Sequence, residues 1–120
     1  MANEISISIT HSASKGGASM NSGANSGSFT MAGTDVVAIS QAVGTAAEVV
    51  ATGTDVGYPA DVTIKNLDAT NFVTVYMDNG TNKICVLQPG RTCHLPAIPA
   101  IPYVKADTAA CQCMVWANEV

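Results

Sequence analysis

Charge is scarce in this chain. Its 120 residues include five Lys or Arg and nine Asp or Glu, 12 % in all, against roughly one quarter in a usual soluble domain. The five basic residues, Lys15, Lys65, Lys83, Arg91 and Lys105, are scattered, and the formal net charge is −4. A protein that grips a phosphate backbone needs clustered positive charge, so direct nucleic-acid binding is not expected. Aromatic residues make up 5 % of the sequence and are spread thinly, which argues against a carbohydrate platform. No apolar run approaches the roughly 20 residues of a membrane helix, and no membrane span is expected. The opening MANEISISIT alternates and carries Glu4, unlike the basic start and continuous apolar stretch of an export signal. The expectation is a chain made and kept in a cytosol until it is assembled.

Reactive constellations are missing as well. Nucleophilic catalysis needs a nucleophile within reach of an oriented base, and there are two histidines, His11 and His94. Cys93 and His94 are neighbours on an expected strand and so face opposite sides, which makes His94 a core or rim residue rather than half of a dyad. Asp55, Asp61, Asp68, Asp78 and Asp107 sit in or beside expected turns, where Asp caps local backbone. They lack the alternating spacing of a calcium loop. No glycine-rich loop follows a strand and opens a helix. No catalytic residue, metal ligand or cofactor is assigned, and an enzyme is not expected.

The four cysteines, Cys85, Cys93, Cys111 and Cys113, lie in the second half. Structural zinc sites pair their ligands as C-x2–4-C on tight knuckles, which this spacing does not provide. Cys111 and Cys113 share one face of an expected strand and do not suit a bond to each other. Small buried hydrophobes is the leading reading. A Cys85–Cys93 disulfide between hairpin partners and a thiolate-bound metal remain as alternatives.

What the sequence does contain is strand text. Glu4–Thr10 alternates Ile5, Ile7 and Ile9 with Ser and Thr, predicting a strand with its isoleucines turned inward. Residues 11–28, HSASKGGASMNSGANSGS, cannot bury enough apolar surface to offset backbone ordering. They are expected to form a surface loop, or an arm that orders on a partner with Met20 as its apolar contact. Phe29–Met31 resumes extended structure, Gly33-Thr34-Asp35 turns, and Val36–Ser40 is a strand. Gly44 and the Val49-Val50 pair favour strand over helix in Gln41–Ala51, and Thr52–Pro59 is a loop.

From Asp61 the alternating runs Val62–Leu67, Phe72–Met77 and Lys83–Leu87 are cut apart by turn residues. Asn66–Asn71 turns with side chains that mimic backbone. Asp78-Asn79-Gly80 predicts a tight hairpin with positive φ, and Pro89-Gly90 a type II corner. Pro96, Pro99 and Pro102 confine their segment to an edge or to the space between sheets. Ala110–Ala117 closes the chain with Cys111, Cys113, Val115 and Ala117 on one face and Gln112, Met114, Trp116 and Asn118 on the other. Trp116 is read as core or interface. About eight short strands at spacings of roughly 8–12 residues predict one all-β domain over 1–120, an antiparallel β-sandwich or jelly roll.

The strings VTIKNLDATNFVTVYMD, LQPGRTCHLP and YVKADTAACQCMVWANEV resemble small structural proteins of tailed-phage virions. The likeness spans Asp61–Val120 and is carried by Lys65-Asn66, Asp68, Thr70-Asn71, Pro89-Gly90 and Lys105–Ala110, which are turn residues. It implies a non-enzymatic head decoration (cement) protein in the virion, made in host cytoplasm, whose partners are the major capsid protein or other virion proteins. A tail or fibre module that binds a receptor is the alternative, and a non-viral cytosolic binding module a third. Symmetric self-association, for example as a trimer, would cover apolar patches. The contact residues expected under this reading are Met20, Phe29, Tyr58, Ile98, Ile101 and Tyr103.

Overall fold

The computed structural model describes residues 3–53 and 56–120; Asp55 lies outside them. All regular structure is β. The strands are β1 (Ile5–Ile9), β2 (Ser12–Lys15), β3 (Ala18–Asn21), β4 (Asn25–Phe29), β5 (Val36–Val43), β6 (Glu48–Val49), β7 (Ala60–Asn66), β8 (Val73–Tyr76), β9 (Lys83–Leu87), β10 (Thr92–Ile98), β11 (Tyr103–Ala106) and β12 (Cys111–Glu119). Contacts divide the chain into two compact units, Met1–Ala32 and Gly33–Val120.

The first unit is a two-stranded ribbon. β1 pairs antiparallel with β4, and β2 with β3. Gly16 and Gly17 both take positive φ at the tip, as a two-residue type I′ hairpin turn requires. Between the two ladders three residues, Ser22 to Ala24, stand opposite two, Thr10 and His11. That bulge is held by His11 N–H donating to Ser22 Oγ at 2.9 Å and Gly23 N–H to Asn21 Oδ1 at 2.7 Å. Residues 11–28, expected as a loop, therefore hold β2, β3 and most of β4. Their Ser, Asn and Gly side chains bury almost nothing, and backbone pairing alone defines the strands. The expectation for the isoleucines holds only at Ile5, which is 5 % exposed; Ile9 is 49 % exposed. A two-stranded ribbon has no second layer of its own to cover both ends of such a stripe.

Against about eight short strands expected over the whole chain, Glu4–Thr10 included, the described residues hold twelve. The second unit is built from eight of these, β5 to β12. They form two antiparallel four-stranded sheets, ordered β10-β7-β12-β5 and β6-β11-β8-β9. β8 and β9 form a hairpin within one sheet, and every other connection in this unit passes from one sheet to the other. Val43, Val62, Ile64, Cys111, Cys113 and Val115 of the first sheet share one core with Val73, Val75, Leu87, Val104 and Ala106 of the second. Valine dominates because β-branched side chains fit a pleated, buried surface.

Turn chemistry fixes the corners. In the Pro89-Gly90 corner Arg91 N–H donates to Gln88 O at 2.9 Å and Gly90 has φ +81°, the type II geometry expected. In the 66–71 loop Asp68 N–H donates to Asn66 Oδ1, and the N–H groups of Thr70 and Asn71 donate to Asp68 Oδ2. The β8–β9 connection differs from the tight two-residue turn expected. Met77 N–H donates to Asn82 O, and Asp78 Oδ1 accepts from Thr81 N–H and Asn82 N–H. Only Gly80 takes positive φ there, +90°. Asp78 caps a wider loop, so Asn79 carries no conformational demand.

Pro96 lies in β10, an edge strand, where its missing N–H leaves no gap in a ladder. The register shifts between Leu95 and Ile98, and Ala97 N–H donates instead to the Asp61 carboxylate at 2.8 Å. Among the described residues no buried side-chain polar atom lacks a partner.

Candidate functional site

Three features of the second unit stand out, each set by strand alternation. The first is an apolar strip on the outer face of the β6-β11-β8-β9 sheet. In β9, Cys85 and Leu87 turn inward, which sends Ile84 and Val86 outward, both exposed. Across the sheet Tyr76, 5 % exposed, lies beside the half-buried Tyr103, and Tyr103 beside the exposed Val49, so the exposed apolar groups stand at the two edges, on β9 and β6. At the end of the strip Met77, Ile84, Ile98, Pro99, Ala100 and Pro102 line a shallow concavity of about 70 Å³. Met77 is 67 % exposed at its rim. A sheet face that meets water normally carries polar residues, and contiguous exposed apolar surface marks interaction sites.

The second feature is a row across the outer face of the other sheet. Ala38, Trp116, Thr63 and His94 are successive register partners on β5, β12, β7 and β10. Thr63 Oγ1 and His94 Nδ1 are 2.9 Å apart, so His94 faces outward while Cys93 packs against the core. Trp116 is 40 % exposed, which removes the core alternative for it.

The third is a pair of thiols. Cys85 on β9 and Cys93 on β10 both turn inward, half-buried, and pack against the core. They are not hairpin partners: the Pro89-Gly90 corner carries the chain from one sheet to the other, so the two side chains turn onto one core from facing edge strands. Each thiol acts on the other's titration. The Cys93 thiol, as donor, stabilises a thiolate at Cys85 and brings it down to about 7 against the opposing effect of burial. The same bond, burial and the charge on Cys85 push Cys93 well up. Cys111 and Cys113 are fully buried, as expected for small core hydrophobes. Burial, helped by Cys111 and Asp68, pushes Cys113 up to about 11. All four cysteines are free thiols, and among the described residues no three His, Cys, Asp or Glu gather as a metal site.

The expected contact residues separate. Ile98 lines the concavity and Tyr103 the strip, with Ile101, half-exposed, in the connection beside them. Tyr58 does not join them. It packs against the core with its hydroxyl 3.0 Å from Thr52 Oγ1, and burial raises its pKa. Met20 and Phe29 belong to the ribbon and are both exposed. The Phe29 ring lies over Gly27, where an added Cβ would sit 2.7 Å from Phe29 Cζ. Sequence reasoning missed Val49, Met77, Ile84 and Val86. The signal was the unbroken run Ile84-Cys85-Val86-Leu87, which leaves no polar face for a strand that shows one side to water.

The chain matches no family model, no curated protein and no solved structure.

Proposed function

We propose that this chain is a non-enzymatic structural protein of a tailed-phage virion, a head decoration protein that docks on the capsid shell. The observation that carries the reading is the exposed apolar group Ile84, Val86 and Met77 at the β9 edge, with the Met77 concavity beside it. Two further points support it. Numbered one to eight from β5, the sheets run 6-3-8-1 and 2-7-4-5, the strand order of a jelly roll, an architecture that viral capsid proteins use among others. Fold alone does not assign function. The turn residues that carry the phage resemblance, Asn66, Asp68, Asn71, Pro89 and Gly90, are also the ones that build the corners of this sandwich.

A docking protein of this kind needs an apolar centre at its interface, and many copies on one shell multiply a modest affinity. The test is co-sedimentation of the purified chain with empty tailed-phage heads. Binding that saturates at a fixed copy number and raises the temperature of head disassembly is expected. A chain that stays monomeric and leaves the heads unchanged refutes the proposal.

Trp116 favours a second reading, a tail or fibre module that binds a receptor glycan, because jelly rolls also serve as lectins and an exposed indole stacks on sugar rings. Trp116 is the single tryptophan, so its fluorescence reports on that face alone. Saturable quenching by a host surface glycan would support the second reading over the first.

A further inference from the structure

We propose that Cys85 and Cys93 form a thiol–disulfide exchange site that accepts a small organic disulfide and closes an intramolecular bond between the two sheets. The pair has the parts such a site needs. Two half-buried thiols turn onto one core, one from each of two sheets whose edge strands β9 and β10 approach each other beside the Pro89-Gly90 corner, at positions that a small reagent reaches. β9 and β10 are edge strands, each with a single ladder partner. Facing sheets normally stand about 10 Å apart, wider than the roughly 7 Å limit between Cα atoms of a disulfide. An edge strand next to a corner moves in with little to disrupt, which a central strand such as β12 cannot do.

The chemistry divides between the two residues. Cys85, the thiolate near neutral pH, attacks one sulfur of the reagent; the reagent's S–S bond breaks and one thiolate leaves. The product is a mixed disulfide on Cys85. Cys93 gives its proton to solvent, and its sulfur attacks Cys85 Sγ; the mixed bond breaks and the second thiolate leaves. Two protein thiols and one disulfide become one protein disulfide and two small thiols, with two electrons passing to the reagent. Cys111 and Cys113 supply an internal control. They are buried, side by side on one face of β12, and Cys113 is held protonated.

The experiment uses the full native chain and oxidised glutathione at about pH 8, followed by alkylation and trypsin. Cleavage after Lys83, Arg91 and Lys105 separates Ile84–Arg91, Thr92–Lys105 and Ala106–Val120, so each class of cysteine falls on its own peptide. The expected result is a mass loss of about 2 Da, two of four thiols consumed, and Ile84–Arg91 linked to Thr92–Lys105. Cys93→Ser is expected to stop at the mixed disulfide, a gain of about 305 Da confined to Ile84–Arg91. The proposal is overturned if the wild-type chain stops as a mixed disulfide, if Ala106–Val120 carries the modification, or if all four thiols survive.

Discussion

Asn66 is the residue whose removal the second unit should tolerate least. Its side chain is 0 % exposed and completes three hydrogen bonds. Nδ2 donates to Asn71 O and to Leu87 O, both at 2.9 Å, and Oδ1 accepts from Asp68 N–H at 2.9 Å. Its backbone adds two more, donating to Arg91 O and accepting from Gly90 N–H, each at 3.0 Å. One residue thus joins the end of β7, the 66–71 loop and the end of β9 through its side chain, and the Pro89-Gly90 corner through its backbone. Asn66→Ala leaves the backbone pair in place and deletes the side-chain three. Each such bond contributes about 1 kcal/mol net, and a buried carbonyl left without a partner costs about 1–3 kcal/mol.

Water can reach the exposed side of the 66–71 loop, so the penalty falls mainly on Leu87 O. The expected loss is about 3–5 kcal/mol. A domain of this size has roughly 4–13 kcal/mol in total, so the variant should lie at the margin of folding. For 60–100 residues about 1 kcal/mol moves Tm by 4–8 °C, which gives a fall of about 12–40 °C. The assay is urea unfolding followed by circular dichroism, with Thr108→Ala as control. Thr108 bonds Asn71 Oδ1 from an exposed position and should cost less than about 1 kcal/mol. If Asn66→Ala loses no more than that control, the reasoning that this side-chain amide ties the 66–71 loop to the end of β9 is wrong.

Three further outcomes are expected. Gly80→Val should destabilise by roughly 1–3 kcal/mol, because a β-branched residue resists φ +90°, while Asn79→Ala should be neutral; equal effects in urea unfolding would contradict the wide Asp78-capped loop. The Asp68 and Asp78 carboxyls are held below their ordinary values by backbone N–H donors, those of Asn71 and Thr70 for Asp68 and of Asn82 and Thr81 for Asp78. Their contribution is present above the unfolded value and is lost as pH falls through the folded one, so stability should drop below about pH 4; the Asp68→Asn, Asp78→Asn double variant, which keeps acceptors and loses the titration, should show a flatter acid limb in Tm against pH. Ile84→Lys with Val86→Lys should leave Tm within a few degrees and abolish head binding; retained binding would move the docking face elsewhere.

What the sequence disclosed and what it hid divide along a physical line. Where burial imposes a period, the residues declared themselves: Cys111, Cys113, Val115 and Ala117 turn inward as their alternation requires. The proline-bearing β10 lies at an edge because Pro96 can donate nothing. Residues 11–28 were opaque because nothing in them is buried, so no period marks their strands. The Gly16-Gly17 pair between SASK and ASMN was the available hairpin signal, and it specifies a turn without specifying what the strands pack on. The Cys85–Cys93 contact was hidden for a different reason. Spacing across a Pro-Gly turn reads as a hairpin, and only the sheet assignment shows that the corner exchanges sheets.

The same line explains why the candidate surface is harder to read than the fold. A catalytic site concentrates its demand on a few residue types at fixed positions, and those types are recognisable in a list. A contact surface asks only for apolar groups at outward positions of an otherwise ordinary strand, so Ile84 and Val86 look like core until their neighbours Cys85 and Leu87 are known to occupy the inside. In this chain the ambiguity is sharpened by the shortage of charge. With 12 % charged residues and Asp68 and Asp78 committed to turns, few charges remain to mark which faces are meant for water. The exposed strand positions are then mostly uncharged, small polar residues such as Ser and Thr on one hand and apolar ones such as Ile84 and Val86 on the other. It is the second kind, gathered on one side of β9 and continued by Met77 and Pro99, on which the docking proposal rests.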